Sequence, residues 1–160
     1  MGVLAAFDAA SPADSASIYQ IIVTPDLENE DRALADLLRE AVDGLIAVYR
    51  FGSTVEGVSH PASDTDVAVL ARAPIPAVAR FEIQERLASR IGRDVDLVDL
   101  AAASPVMAIQ VIARGRLLYD GDSAARGRFE DLTFGTYARL NEERRGILER
   151  VAAEGTVYGR

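Results

Sequence analysis

The stretch FGSTVEGVSHPASDTDVAVL, residues 51–70, decides the fold, because it joins two predicted strands through a glycine–serine turn. The apolar run at residues 45–49 favours a β-strand, and this run stops at Gly52-Ser53. Glycine allows a ligand to approach the backbone closely, and serine is a residue type that caps a following helical turn. The unpaired N–H groups at such a turn bind phosphate oxygens. The first half of the stretch therefore predicts a phosphate-binding turn.

The second half of the stretch carries two acids that share one face of a predicted strand. The strand covers residues 65–70, and Asp64 lies two residues before Asp66, which puts both carboxylates on the same side. Val67 and Val69 point to the other side, towards the core. Two carboxylates about 4 Å apart repel by about 4 kcal/mol at an effective dielectric constant of about 20, so they require a cation or a shared proton. Oxygen-only ligands suit magnesium or manganese.

A third acid comes from the run RDVDLVDL at residues 93–100, which also reads as a strand. Asp94 and Asp96 share one face of this strand, and Val95 and Leu97 take the other. If the strand lies beside the first two, three acids converge below the glycine–serine turn. That layout is typical of two-metal phosphoryl or nucleotidyl transfer, in which metals about 3.5–4 Å apart bind the attacking and leaving oxygens.

This combination of motifs resembles the nucleotidyltransferase superfamily of DNA polymerase β. The shared pattern is Gly52-Ser53, ten further residues, Asp64-x-Asp66 and then an acidic strand. Within the superfamily, the chain resembles the MNT (minimal nucleotidyltransferase) antitoxins of HEPN/MNT toxin–antitoxin modules. Their tail pattern is also present, in residues 96–100, 103–106, 114–119 and 142–148. The resemblance runs from about Ala33 to Glu154.

The resemblance implies a fold and a set of site residues. The fold is an α/β (α+β) nucleotidyltransferase fold, a short mixed β-sheet flanked by helices. Gly52 and Ser53 are then expected to bind the phosphates of ATP, while Asp64 and Asp66 hold Mg²⁺ or Mn²⁺. Asp96 is expected to act as the third metal ligand or as the base that activates the acceptor. Asp94 is the alternative third acid, and it ranks below Asp96 because Asp96 aligns with the aspartate-leucine-valine strand of the family.

The resemblance also implies an activity. It predicts an antitoxin that transfers AMP from ATP to a tyrosine hydroxyl of a cognate HEPN ribonuclease toxin and so neutralises the toxin. Alternative functions are an antitoxin that acts by binding alone, a small-molecule adenylyltransferase, a purely structural domain, and an enzyme that modifies one of its own tyrosines.

One position departs from the MNT pattern. MNT relatives commonly carry arginine just before the glycine that matches Gly57, where this chain has Glu56. That arginine is suited to meet the triphosphate, whereas an acid there repels it. Arg50, two positions before Gly52, is a candidate to replace the missing positive charge.

Composition narrows the class of protein further. The 160 residues suit one domain, and we expect an N-terminal extension at residues 1–23 followed by a minimal nucleotidyltransferase domain at residues 24–160. The net charge of −8 argues against a chain that binds nucleic acid through its phosphates. The N-terminus lacks the features of a signal peptide, and the apolar runs are too short to span a membrane. We therefore expect a cytoplasmic protein whose partners are a nucleoside triphosphate and a toxin protein. With no cysteine and with His60 as the single histidine, neither a thiolate site nor a multi-histidine metal site is possible.

The remaining elements follow from caps and periodicity. A helix is expected from Thr24-Pro25 to Gly44, and a second one from Pro76 to Gly92. A short helix at residues 106–114, a strand at residues 116–119, a turn at residues 120–122 and a final helix from Phe134 to near Gly155 complete the chain. The order of the strands in the sheet does not follow from the sequence.

Overall fold

The structure is a computed structural model, and it describes residues 25–53, 55 and 64–154. The predicted N-terminal extension lies outside these residues. The described helices are α1 (Pro25–Ala41), α2 (Ala77–Ile91), α3 (Pro105–Arg114) and α4 (Ser123–Glu154). The described strands are β1 (Leu45–Phe51), β2 (Thr65–Ala71), β3 (Val95–Asp99) and β4 (Arg116–Asp120). None of these helices is long and apolar enough to cross a membrane.

The strands form one mixed sheet in the order β3-β2-β1-β4. β1 pairs antiparallel with β2 and with β4, whereas β2 and β3 run parallel. A parallel pair requires a crossover connection, and α2 provides it between β2 and β3. The sheet therefore brings the strand that leads into the glycine–serine turn next to the first acidic strand, and places the second acidic strand beyond it.

The sheet separates two layers of apolar residues. Val67 and Val69 of β2 pack with Leu34 and Leu38 of α1 on one face, where α2 also packs. On the other face, residues of β1 and β2 pack against α3 and the first turns of α4, with Val111 fully buried. The alternation predicted for β2 is confirmed, and it leaves Asp66 on the face that is covered by α3 and α4.

Two helix ends agree with their sequence signals, and one differs. The Ser104 hydroxyl oxygen accepts a hydrogen bond of 3.2 Å from the Met107 N–H and caps α3, and α2 ends at Gly92 in a left-handed conformation. α4 begins at Ser123 and not near Phe134. The reason lies in the predicted turn at residues 120–122. There a carboxylate oxygen of Asp122 accepts a 2.9 Å hydrogen bond from the Ala125 N–H. That contact caps the helix at its first turn.

Several apolar side chains of α2 and α4 do not join either core. Val78 and Phe81 of α2 are 72% and 61% exposed, and Leu132 and Leu148 of α4 are 69% and 66% exposed. α2 therefore reaches the core through its later residues, Ile83 and Leu87.

Candidate active site

The glycine–serine turn lies directly against the second acid of the motif. Gly52 has a φ of 78°, and a side chain at this position would overlap a carboxylate oxygen of Asp66 and come within 2.9 Å of its Cγ. The turn is closed by a 3.0 Å hydrogen bond from the Val55 N–H to the Gly52 carbonyl oxygen. Glycine is needed here for two reasons, the left-handed backbone and the close approach of a carboxylate. Ser53 follows it and is half-buried.

Pairing of the strands brings two acids side by side. Asp66 of β2 is the direct partner of Asp96 in β3, and on its other side Asp66 pairs with Phe51, the residue before the turn. Asp64 immediately precedes β2 and is exposed. The alternative third acid, Asp94, lies before β3. Its backbone carbonyl oxygen accepts a 2.9 Å hydrogen bond from the backbone N–H of Thr65. The structure thus places Asp96, and not Asp94, opposite Asp66.

The charges around Asp66 act on its carboxylate. Burial raises the pKa of Asp66, the negative charges of Asp96 and Asp64 raise it further, and the positive charge of Arg50 lowers it. Across the described residues, Asp64, Asp66 and Asp96 have no hydrogen bond or ion pair through their side chains. A group of unpaired carboxylates of this kind is stabilised when a cation binds.

The donor set fits a divalent metal ion that also binds a nucleotide. Among the described residues, no three acidic or histidine side chains form a ready-made metal cluster. Mg²⁺ is usually held by one or two carboxylates together with substrate phosphates, not by a complete protein cage. The pair Asp66 and Asp96, with Asp64 beside it and the Gly52 turn above, is suited to that mode of binding. The specific roles of these residues stay predictions.

Arg50, the candidate to replace the missing arginine, is held in ion pairs with acids of α1. Arg50 is fully buried and forms ion pairs of 2.7 Å with Asp31 and with Glu30 of α1. Arg93 also contacts Glu30, and Arg116 contacts Asp31, so three arginines and two acids alternate in one network. The suggestion that Arg50 replaces the missing arginine is therefore wrong. Its role is to attach α1 to the strand that leads into the turn.

A signal for this network exists in the sequence but was missed. Glu30 and Asp31 precede Leu34 by four and three residues, so they lie on the apolar face of α1. Acidic residues on the apolar face of a helix indicate a buried positively charged partner, because burying an unpaired charge is costly. Glu56 and His60 lie outside the described residues, and the helical turn that Ser53 was expected to start falls mostly outside them too.

Comparison with known families decides the classification. The family "Polymerase beta, Nucleotidyltransferase" matches residues 33–124, which include the turn and all three acids. This chain belongs to that nucleotidyltransferase family. The predicted superfamily and the mixed-sheet α+β fold are thereby confirmed.

Individual members of the nucleotidyltransferase family are also similar over most of the chain. The protein adenylyltransferase MntA of Shewanella oneidensis is 39% identical over 125 residues, which cover 78% of this chain and 88% of MntA. A crystal structure of a toxin–antitoxin complex with AMP-PNP matches with a TM-score of 0.68 and 38% identity, covering 78% of this chain and 98% of the matched chain. A structure of a tri-AMPylated Shewanella oneidensis HEPN toxin in complex with MNT antitoxin matches with a TM-score of 0.66 and 34% identity, at the same coverage.

Proposed function

We propose that this chain is a cytoplasmic antitoxin that transfers AMP from ATP to a tyrosine hydroxyl of a cognate HEPN ribonuclease toxin, which neutralises the toxin. The observation that carries the proposal is the register of Asp66 against Asp96 beneath the Gly52 turn, in a chain that is similar to a protein adenylyltransferase. The net charge of −8 supports a protein acceptor over a nucleic acid, because phosphate backbones are bound by clustered basic residues.

Each residue of the site has a separate role in the proposed reaction. The backbone at Gly52 and the Ser53 hydroxyl orient the phosphates of ATP, and Asp64 and Asp66 hold Mg²⁺ or Mn²⁺. When bound there, the metal would neutralise negative charge on the phosphate oxygens. Asp96 accepts the proton of the acceptor tyrosine, whose oxygen forms a bond to the α-phosphorus. The bond between the α-phosphorus and the bridging oxygen to the β-phosphate breaks, and pyrophosphate leaves.

Exposed apolar residues support a protein partner. Val78 and Phe81 of α2 and Leu148 of α4 are largely exposed. A folded protein acceptor would cover such side chains, as the apolar centres of protein interfaces do.

The intact mass of the toxin tests the proposal. The toxin is incubated with this chain, ATP and Mg²⁺, and a gain of one or more AMP units is expected. The double variant Asp64→Asn with Asp66→Asn should give no gain, and Asp96→Asn should slow the transfer at least a hundredfold, the usual size of a general-base effect. Asp94→Asn is the matched control, because it removes an acid of the same region that does not face Asp66. Equal loss in both single variants would contradict the assignment of Asp96.

A second function, inhibition by binding alone, is favoured by one observation. Arg50 is committed to its acidic partners, and the sequence has Glu56 where relatives carry arginine, so a cation for the triphosphate is not provided by either position. A stable complex with the toxin without any mass gain would support this alternative. In that case Glu56→Arg should increase ATP binding.

A further inference from the structure

A groove of about 420 Å³ runs along the free edge of β3, next to the proposed active site. Arg80 and Gln84 of α2 form one wall, Ser104 and Met107 of α3 form the other, and Asp96 lies at its side. Its volume is in the range of about 300–1,000 Å³ that is typical of small-ligand sites. The groove is therefore large enough for a nucleotide-sized ligand on the side of the site where Asp96 is proposed to meet the acceptor.

One backbone N–H on the edge of β3 inside the groove already has a partner. The side-chain oxygen of Gln84 accepts a 3.2 Å hydrogen bond from the Leu97 N–H, which is the type of group that an added strand would use. Asp99 is also committed, because its two carboxylate oxygens accept hydrogen bonds of 2.8 Å and 3.0 Å from the N–H groups of Ile75 and Ala101. A small ligand fits this groove better than an extended peptide that pairs with β3.

Arg80 provides a positive charge without a partner. Arg80 is half-buried in the groove wall, and its guanidinium has no ion pair or hydrogen bond within residues 25–53, 55 and 64–154. By contrast, Arg50, Arg93 and Arg116 are all held by acids. A guanidinium presents several donors in a plane that matches the oxygens of a phosphate group. The half-buried side chains of Val98 and Met107 offer apolar surface for a base.

We propose that this groove binds an adenylate that has already been transferred to the acceptor, with Arg80 on its phosphodiester. The inference rests on the proposed function, and the tri-AMPylated HEPN toxin bound to a similar MNT antitoxin supports it. In the second round, a ribose hydroxyl oxygen of the first AMP forms a bond to the α-phosphorus of the next ATP. The hydroxyl proton passes to Asp96, the bond from the α-phosphorus to the bridging oxygen breaks, and pyrophosphate leaves.

The distribution of AMP units on the toxin tests whether the groove binds the transferred adenylate. Intact mass is followed over time, and the rate of the second addition is divided by the rate of the first. Arg80→Ala should lower this ratio about tenfold, which is the loss expected for a charge-assisted hydrogen bond to phosphate. Arg86→Ala is the matched control, because Arg86 is an exposed arginine of the same helix that does not line the groove. An unchanged ratio in Arg80→Ala, or an equal loss of both additions, would overturn the proposal.

A binding measurement separates failure of the groove from failure of the proposed function. The chain, saturated with AMP-PNP and Mg²⁺, is titrated with AMP, and backbone NMR signals are followed. Signals of Arg80, Ser104 and Met107 should shift, and Arg80→Ala should weaken AMP binding about tenfold. A wild-type chain that transfers one AMP but shows no shifts in the groove would overturn this inference alone. A chain that transfers no AMP would refute the proposed function, and the titration would still decide whether the groove binds adenylate.

Discussion

Replacing Asp66 by asparagine should stabilise the metal-free protein while it removes AMP transfer. Asp66 is half-buried, is affected by the charges of two other carboxylates and has no hydrogen-bond partner among the described residues. Burial and the charges of Asp96 and Asp64 raise its pKa, so its ionised form is disfavoured in the folded state. Asparagine keeps the shape of the side chain and removes the charge. Sites that bind metal or substrate often lower stability in this way.

The size of the effect follows from the strand spacing. Asp66 and Asp96 are direct partners, and neighbouring strands lie about 4.8 Å apart. At that distance two charges repel by about 3.5 kcal/mol at an effective dielectric constant of about 20, and by about 0.9 kcal/mol in bulk water. Since Asp66 is only half-buried and Asp96 is exposed, solvent reduces the repulsion towards the lower value. We therefore expect Asp66→Asn to raise the free energy of unfolding by about 1–2 kcal/mol. For a chain of this length, that stabilisation raises the melting temperature by roughly 2–8 °C.

The assay is thermal unfolding by circular dichroism in EDTA at pH 8, with Asp94→Asn as the control. The control removes the same charge from the chain but does not affect the pKa of Asp66, so its melting temperature should stay close to that of the wild type. Because the pKa of Asp66 is raised above 3.8 in the folded state, the wild type loses stability as pH rises from 3.8 through the raised value. The higher melting temperature of Asp66→Asn should therefore disappear at low pH, where the wild-type carboxyl is protonated. An Asp66→Asn protein that melts at or below the wild-type temperature in EDTA at pH 8 would refute the reasoning.

Three further substitutions test the surroundings of the site. Gly52→Ala should abolish AMP transfer and lower the free energy of unfolding by more than Gly92→Ala, because both glycines have positive φ but only Gly52 lies against a carboxylate. Urea unfolding measures both losses, and Gly92→Ala should lower the free energy of unfolding by about 1–2 kcal/mol from backbone strain alone. Equal losses in the two variants would contradict the contact between Gly52 and Asp66. Arg50→Met should cost about 3–5 kcal/mol in the same measurement, because it leaves two acids of α1 without their buried partner; a loss below about 1 kcal/mol would show that the network is not needed. Tyr49→Phe should cost about 1.5 kcal/mol, because it removes a 2.7 Å hydrogen bond from the phenol to a glutamate of α4, and an unchanged stability would contradict that role.

Local sequence signals were sufficient for most of the elements. Short apolar runs rich in β-favouring residues predict β1 and β2, because a strand that is covered on both faces buries nearly all of its side chains. Ser104-Pro105 predicts the start of α3, because a cap acts on N–H groups within the same turn. The start of α4 was predicted too late. Its cap comes from Asp122, and the sequence reading assigned that residue only to a turn.

The site required long-range information as well. The sequence by itself determined the motif, a glycine, a serine and three acids at fixed spacings, and with it the prediction of which residues carry the chemistry. Only the tertiary structure decided which residues are neighbours: the strand order sets Asp66 opposite Asp96, buries Arg50 under α1 and forms the groove beside Arg80. The physical reason is that a period of two gives the face of a strand but not its partner. The partner is chosen by packing and hydrogen bonding between segments far apart in the chain.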